Sequence, residues 1–431
     1  MNSETSDLKE IPFWWDTAPA LPDYSARPLS DRADVVVVGS GYTGLSAARA
    51  LALRGANVCV LEKETIGWGA SSRNGGQVLT GLAIDPDTLI EKLGRERARQ
   101  LYATSLAAME FVENLIAVEK IDCEYSRVGH IEAAFKPKHF EHYQREQELL
   151  AREFNHPVKL LNRSEQRIEL GTDFYQGLLI DERSGGVHPA KYVRGLALAA
   201  ERSGAQLHEK TPALKIERDG SKFKIVTPRG SIAAKDVLIA TNGYTDAVAP
   251  KIRRRAIPIG SYIIATEPLP ADLAARMLPR RRVVYDSKNF LAYFRLSSDN
   301  RLLFGGRAEY KTSTPQTTRQ SVDILRRSMI EVFPELANTR IDYSWSGNVC
   351  FTFDRLPRAG RLDGLHHALA YAGHGVALAT YLGVQMAEII SGGSGNNPFA
   401  DLPFNPIPLY DGRPWFMPLG ALWYKFLDVI S

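Results

Sequence analysis

Cysteine is scarce in this 431-residue chain, with Cys59, Cys123 and Cys350 as its only three. An odd number spaced so widely argues against a disulfide framework and points to a reducing, cytoplasmic compartment. Net charge is small as well, at +4. The basic clusters Arg253-Arg254-Arg255 and Arg280-Arg281-Arg282 sit beside prolines without interleaved aromatics. They read as solvated turns, and no nucleic-acid partner is expected. No window holds 18 uninterrupted apolar residues, so no membrane-spanning segment is expected. The opening MNSETSDLKEIPFWWD carries acids where a targeting peptide has a basic patch and an apolar run, and it is read as no targeting segment. The apolar tail Leu419 to Ile430 is an interfacial candidate, but Lys425 and Asp428 within it fit a closing helix on the core better. His139 and His142 form an H-x-x-H pair, yet Glu141, Arg145 and Glu146 around them mark a solvated helix face, and no metal is expected.

What is present starts at VVVVGSGYTG. Val35 to Val38 reads as a buried parallel strand, Leu45 to Leu53 as a helix ending at Gly55, and Val58 to Leu61 as a second strand closing on Glu62. A lone G-x-G-x-x-G is weak, but here it lies between strand and helix with an acid at the end of the next strand. Gly39 allows the tight turn, Gly41 lets backbone N–H groups approach a pyrophosphate, Gly44 brings helix close to strand, and Glu62 is placed to accept from ribose hydroxyls. That unit holds a dinucleotide. It does not say whether a nicotinamide or a flavin.

Two further stretches bear on the choice. Gly67 to Gln77 is rich in glycine and serine (Gly67, Gly69, Ser71, Ser72, Gly75, Gly76), which suits a second contact with an extended cofactor through backbone donors; a flexible surface loop is the other reading. Near the far end, the short strand Ala368 to Tyr371 leads through Gly373-His374-Gly375 into a helix with Leu378, Leu382, Met386 and Ile390 at fourfold spacing. A helix start opened by glycines is an anion site. His374 is as readily a packed or capping histidine as a catalytic one.

The leader FWWDTAP, GSGYTGLSAARALALRG with Glu62, ASSRNGGQ, HPAKYVRGLALAAERSG, DVLIATNGY, RLLFGG and YAGHGVALATYLG together resemble the D-amino-acid-oxidase-like FAD-dependent oxidoreductases, and within them the gamma-glutamylputrescine oxidase and glycine-oxidase-like branch. The resemblance covers essentially the whole chain. It implies an α/β fold in which a Rossmann-like FAD-binding domain (31–85, 185–250 and 340–400) is interleaved with an antiparallel-sheet substrate domain (86–184 and 251–339), flanked by an N-terminal arm (1–30) and a C-terminal segment (401–431). It further implies FAD held by Gly39, Gly41, Tyr42, Thr43 and Gly44 at the first turn, by Glu62 and Lys63 after the second strand, and by Ser71, Ser72, Asn74, Gly75, Gly76 and Gln77 in the loop. Ala213, Thr241, Gly373, His374, Gly375 and Val376 complete that set.

By the same resemblance the flavin takes a hydride from a carbon bearing an amine nitrogen, giving an imine that water hydrolyses. The donor is a small-molecule amine or amino acid, with a γ-glutamyl amine among the options, and O2 is the expected acceptor. The chemistry belongs to the cofactor, which is why no triad or carboxylate pair is required. Tyr262, Tyr293, Arg295 and Trp345 are the candidate substrate contacts. Tyr293 and Arg295, two apart on a strand, face the same side; the arginine reads equally as a clamp for a substrate carboxylate or as a structural residue pairing with a nearby acid. Monomeric sarcosine oxidases place a lysine over the flavin in the strand that corresponds to Arg301–Gly306, which has none. A dehydrogenase feeding a quinone or carrier therefore stays open, as does a non-catalytic flavin-binding regulator. Cys350 corresponds to the cysteine that carries flavin covalently in the sarcosine-oxidase branch, but the closer branch implies dissociable FAD.

Overall fold

The computed structural model describes residues 8–306, 312–412, 414, 415 and 417, so the expected tail helix from Leu419 to Ile430 lies outside the described residues. Strand Arg32–Val38 buries both of its faces, which explains its unbroken apolar run. Val35 and Val37 face Leu45 and Leu51 of helix Tyr42–Leu53, while Val36 and Val38 face Ile225, Val237 and Ile239. The strand pairs in parallel with Val58–Leu61 on one side and Gly230–Ile239 on the other. Gln206–His208 and Leu365–Leu369 extend this parallel core, and Arg358–Leu362 closes one edge antiparallel. This is a Rossmann-like sheet.

A second eight-stranded sheet runs in the order Ile341–Phe351, Ile257–Thr266, Leu302–Gly306, Ala292–Leu296, Val283–Asp286, His130–Ala133, Gly177–Asp181, Lys159–Asn162. It is antiparallel except where Val283–Asp286 pairs in parallel with His130–Ala133, a mixed sheet where a purely antiparallel one is expected. Two of the segment boundaries drawn from the sequence differ from the structure. Ile341–Phe351 joins the second sheet, held by an eleven-residue strand laddered along Ile257–Thr266. Helices Pro86–Leu93 and Arg95–Glu119 share a core with the first sheet and with helix Gly375–Ile390, through Leu89, Leu101, Ala108, Val112, Leu378 and Leu382. Gly94, at φ +79°, separates these two helices.

By length and composition alone, Arg95–Glu119 also meets the test for a membrane-crossing helix, with a mean hydropathy of 1.3 over its most apolar stretch. Its apolar stripe lies in the core, and its charges pair outward, Glu113 with Arg127 and Glu119 with Arg49 and Arg202. This is the pattern of an amphipathic core helix.

Two other expectations change. Arg282 is no solvated turn residue: it is buried, and its guanidinium donates to Glu169 at 2.8 Å, Glu182 at 2.7 Å and the Val128 carbonyl at 2.7 Å. Glu146 turns inward from its helix Pro137–Phe154, its carboxyl held well above the usual range by burial and by Glu132 and Asp85. All three cysteines are buried free thiols. Replacing Arg282 with methionine leaves Arg280, 3.3 Å away, as the remaining cationic partner of the buried Glu169 and removes the charged hydrogen bonds to Glu169 and Glu182; it is expected to cost about 1.5–3 kcal/mol of stability, read as a fall in the denaturant midpoint. An unchanged midpoint would show that the cluster contributes nothing.

Candidate active site

A cavity of about 1080 Å³ opens at the C-terminal ends of the first sheet and extends to the face of the second. Its near wall is the first turn. Gly39 has φ +103°, and a Cβ on Gly41 would stand 2.8 Å from Ser71 Oγ. The first-turn N–H groups of helix Tyr42–Leu53 lack intrahelical partners and the N-cap Gly41 offers no side chain; the Tyr42 N–H donates to Ser71 Oγ at 3.0 Å, and those of Thr43 and Gly44 leave an anion cradle. Glu62 borders this wall. Its Oε2 accepts from the Ser40 N–H at 3.0 Å and hydroxyl at 2.6 Å, and its Oε1 accepts from the Glu64 N–H at 2.9 Å, so the carboxylate is held in one orientation. Lys63 lies beside it, 3.8 Å from Asp246.

The loop from Gly67 to Gln77 is pinned at several points. Trp14 Nε1 donates to the Asn74 carbonyl and Trp15 Nε1 to Ser72 Oγ, both at 2.8 Å, while Asn74 Oδ1 accepts from the Gly76 N–H at 2.8 Å. Helix Phe13–Thr17 thus buttresses the loop. Across the cavity, Gly373, His374, Gly375 and Val376 present the start of helix Gly375–Ile390. Burial holds the His374 imidazole down at about 4, so it is neutral, and its Nδ1 is buried without a hydrogen-bond partner among the described residues.

Most of the expected cofactor residues line this cavity: Gly39, Gly41, Tyr42, Thr43, Glu62, Lys63, Ser71, Asn74, Gly75, Gln77, Ala213, Thr241 and Gly373 through Val376. Gly44, Ser72 and Gly76 stand behind the wall. Gly44 packs helix onto strand, Ser72 Oγ is spent on the Gly67 carbonyl at 2.6 Å, and the Gly76 carbonyl accepts from Arg295. The cradle, the ribose-side acid and the unpartnered His374 nitrogen suit the two ends of FAD. Bound there, FAD would be held by the Tyr42 helix start, Glu62, the Ser71–Gln77 loop and the His374 helix start.

The expected substrate residues divide. Tyr293 lines the cavity, its hydroxyl 2.8 Å from Ser261 Oγ. Tyr262 points to the opposite face of the sheet, into a core with Ile264 and Phe304. Trp345 is buried, donating to the Arg73 carbonyl at 2.9 Å. Arg295 does share Tyr293's side of the sheet, but it reaches under the loop. Its Nη1 donates to the carbonyls of Gly76 at 2.7 Å and Val187 at 2.9 Å, and burial brings the guanidinium down to about 10. It therefore fastens the loop to the second sheet. Arg295→Met removes donors to two carbonyls, about 1–3 kcal/mol each. A lower thermal midpoint is expected, with equal changes in kcat/KM for donors with and without a carboxylate; a loss confined to carboxylated donors would restore the clamp.

Sequence reasoning missed Tyr285, Leu79, Leu291, Trp68, Arg73 and Tyr244, all on the cavity wall. The β-branched and aromatic run Val283-Val284-Tyr285 signals a strand, but its position beside Tyr293 depends on the pairing Tyr285↔Tyr293. Cys350 lies on the wall too, fully buried, its thiol pushed up to about 12. A thiol kept neutral is a poor nucleophile, and the expected outcome is dissociable FAD. After acid precipitation, yellow colour should pass to the supernatant. Colour retained in the pellet, and lost from it in Cys350→Ser, would show a covalent link.

A dinucleotide cradle feeding a cavity roofed by a second sheet defines a flavoprotein oxidoreductase. The family model described as "FAD dependent oxidoreductase" matches residues 34–389, and the chain belongs to that family. It is 35% identical over 401 residues to gamma-glutamylputrescine oxidoreductase of Escherichia coli (strain K12), covering 92% of each chain. It is 36% identical over 422 residues to a probable oxidoreductase OrdL of Rhizobium meliloti (strain 1021), covering 96% of this chain and 97% of that one. Among solved structures, glycine oxidase from Geobacillus kaustophilus shares the fold with a TM-score of 0.72 at 23% identity, over 88% of this chain and 99% of the other. FAD is its cofactor, and the amine and amino-acid donor class expected from the sequence agrees with these relatives.

Proposed function

We propose that this enzyme oxidises the C–N bond of an amine or amino-acid donor to an imine, which water then hydrolyses, with O2 as electron acceptor and γ-glutamyl amines within its donor range. The observation that carries this reading is the single cavity that runs from Glu62 to Tyr285 and Tyr293. The likeness to a gamma-glutamylputrescine oxidoreductase along nearly the full chain supports the donor class. Bound FAD supplies the hydride acceptor. The chain's part is to orient the donor and keep water from it. Leu79, Leu291 and the rings of Tyr285 and Tyr293 make the far wall apolar, which favours the neutral amine needed for hydride loss. The start of helix Gly375–Ile390 offers partial positive charge to an anionic ring.

The absence of lysine from Leu302–Gly306 favours a second reading, a dehydrogenase that passes electrons to a quinone or carrier. Anaerobic mixing with a panel of amines, amino acids and γ-glutamyl amines tests both. Bleaching of the yellow protein by at least one amine is expected, and admitted air should restore the colour with one peroxide per flavin. Bleaching that persists in air until a quinone is added supports the dehydrogenase. Failure of every donor to bleach the flavin would refute both.

A further inference from the structure

Where the loop from Gly67 to Gln77 meets the second sheet, the cavity wall carries a cation without an acid. Arg73 lines the cavity there, its guanidinium over the Trp68 ring at 4.3 Å and the Trp15 ring at 4.6 Å. Its Nε donates to the Trp68 carbonyl at 2.8 Å and its Nη1 to the Ser346 carbonyl at 3.0 Å, while its own carbonyl accepts from Trp345 Nε1 at 2.9 Å. Gly347 leaves the space for it: a Cβ there would stand 3.2 Å from the Arg73 Cβ and 3.4 Å from the Tyr244 hydroxyl. Two indoles and two carbonyls thus fix the group. Among the described residues, Nη2 has no hydrogen-bond partner and the side chain has no ion-pair partner.

The other cationic residues on the wall, among the described residues, are engaged elsewhere. Lys63 faces Asp246, and Arg253 packs against Gly412. Glu64, which acts on Arg73 from a distance, is paired with Lys210 at 3.2 Å. A partly desolvated guanidinium with an open nitrogen is matched by an incoming carboxylate. The FAD pyrophosphate has its own cradle at the start of helix Tyr42–Leu53, on the first sheet, whereas Arg73 reaches to the second. There Gly347 pairs with Ser261, whose Oγ lies 2.8 Å from the Tyr293 hydroxyl. The Tyr293 ring lies over Gly305, where a Cβ would fall 2.4 Å from it, and Tyr285 stands one strand further out. From strand Ile341–Phe351 to strand Val283–Asp286 is four strand spacings, roughly 19 Å. Arg73 and Tyr285 therefore mark opposite ends of a floor made by the Tyr293 ring.

We propose that Arg73 binds a carboxylate at the end of the donor remote from the reacting nitrogen, so that the enzyme prefers amines built this way, γ-glutamyl amines among them, to uncharged amines of equal length and to α-amino acids. This rests on the amine-oxidising reading and narrows it. With the nitrogen at the apolar Tyr285 end, an α-carboxylate stays on the nitrogen's side of the Tyr293 ring and falls short of the guanidinium. A carboxylate several bonds away crosses the ring and reaches Nη2.

The test uses the FAD-loaded enzyme and two matched pairs of probes. Aminobutyl-glutaramate carries a terminal amine and a remote carboxylate, and aminobutyl-glutaramide is the same chain with a neutral carboxamide in place of the carboxylate. Butyl-glutaramate and butyl-glutaramide lack the amine and cannot act as donors. In anaerobic flavin reduction the aminobutyl-glutaramate should exceed its carboxamide at least tenfold in kcat/KM, chiefly through KM. Arg73→Met should cost the carboxylated donor at least tenfold and the carboxamide less than threefold, with Arg73→Lys recovering part of the loss, each variant compared at one FAD per chain. Without turnover, butyl-glutaramate should perturb the flavin absorption with a Kd at least tenfold below that of butyl-glutaramide. Equal use of the two donors, equal losses on both in Arg73→Met, or no binding of butyl-glutaramate would overturn the proposal. Loss of FAD from both Arg73 variants would assign the guanidinium to the cofactor and overturn it too. Butyl-glutaramate binding without bleaching by any amine would refute the oxidising reading and leave the Arg73 site standing, whereas equal bleaching by both donors would do the reverse.

Discussion

Replacing Gly44 with alanine is expected to abolish FAD binding and to lower stability by several kcal/mol. The added Cβ would fall 2.0 Å from the Gly39 carbonyl oxygen and 3.1 Å from its carbon, both backbone atoms of the cradle turn. Nothing flexible can yield there, so the helix must move off the strand. Overpacking usually costs about 1–3 kcal/mol, and displacement of the helix N-terminus removes the anion cradle besides. Gly55 is the control. It has φ +84° but open space around it, so Gly55→Ala should cost only the backbone term of about 1–2 kcal/mol and retain FAD. Flavin stoichiometry after gel filtration and thermal midpoints decide the matter. Retention of one FAD per chain in Gly44→Ala would show that the turn tolerates the shift.

The second large effect is expected at Glu62. A carboxylate that accepts from two ribose hydroxyls contributes about 1.5–3 kcal/mol for each charged hydrogen bond. Glu62→Ala should therefore weaken FAD by about 3–6 kcal/mol, on the order of a hundred- to ten-thousand-fold. The same substitution releases the Ser40 and Glu64 N–H groups that the carboxylate now holds, so the turn loosens as well. Glu62→Gln keeps one acceptor oxygen and should fall between. Quenching of FAD fluorescence on titration with apoprotein gives each Kd, and a change below threefold for Glu62→Ala would place the ribose elsewhere.

The cradle was legible in the sequence because its determinants are local. Three glycines at fixed spacing, an apolar run and an acid at the end of the next strand fix strand Arg32–Val38, helix Tyr42–Leu53 and strand Val58–Leu61 within a few residues. The substrate end was not legible, because its geometry depends on pairing between distant segments. Tyr285 meets Glu132 from 153 residues away, and only the parallel register of their strands brings the two together. Arg295 has the correct side of its strand by period-two reasoning, yet whether it meets the cavity or the loop beneath depends on where Gly76 and Val187 arrive. Tyr262 lies on the opposite face because its strand is one register step out from Tyr293's row, where Gly305 pairs with Ile263. Arg282 looks like its two arginine neighbours in sequence, and it is Glu169 and Glu182, each a hundred residues or more away, that draw it into the interior.

The central claim is that one cavity holds FAD by the Glu62 cradle and delivers an amine to the Tyr285–Tyr293 face. Diffraction from crystals of the FAD-loaded protein soaked with tert-butylammonium tests it most directly. The account predicts the adenosine ribose hydroxyls against Glu62, the pyrophosphate at the N-terminus of helix Tyr42–Leu53, the flavin ring beside the start of helix Gly375–Ile390, and the ammonium nitrogen beside Tyr285 and Tyr293. Flavin density outside this cavity, or a ring that leaves no room for a ligand beside Tyr285 and Tyr293, would contradict it.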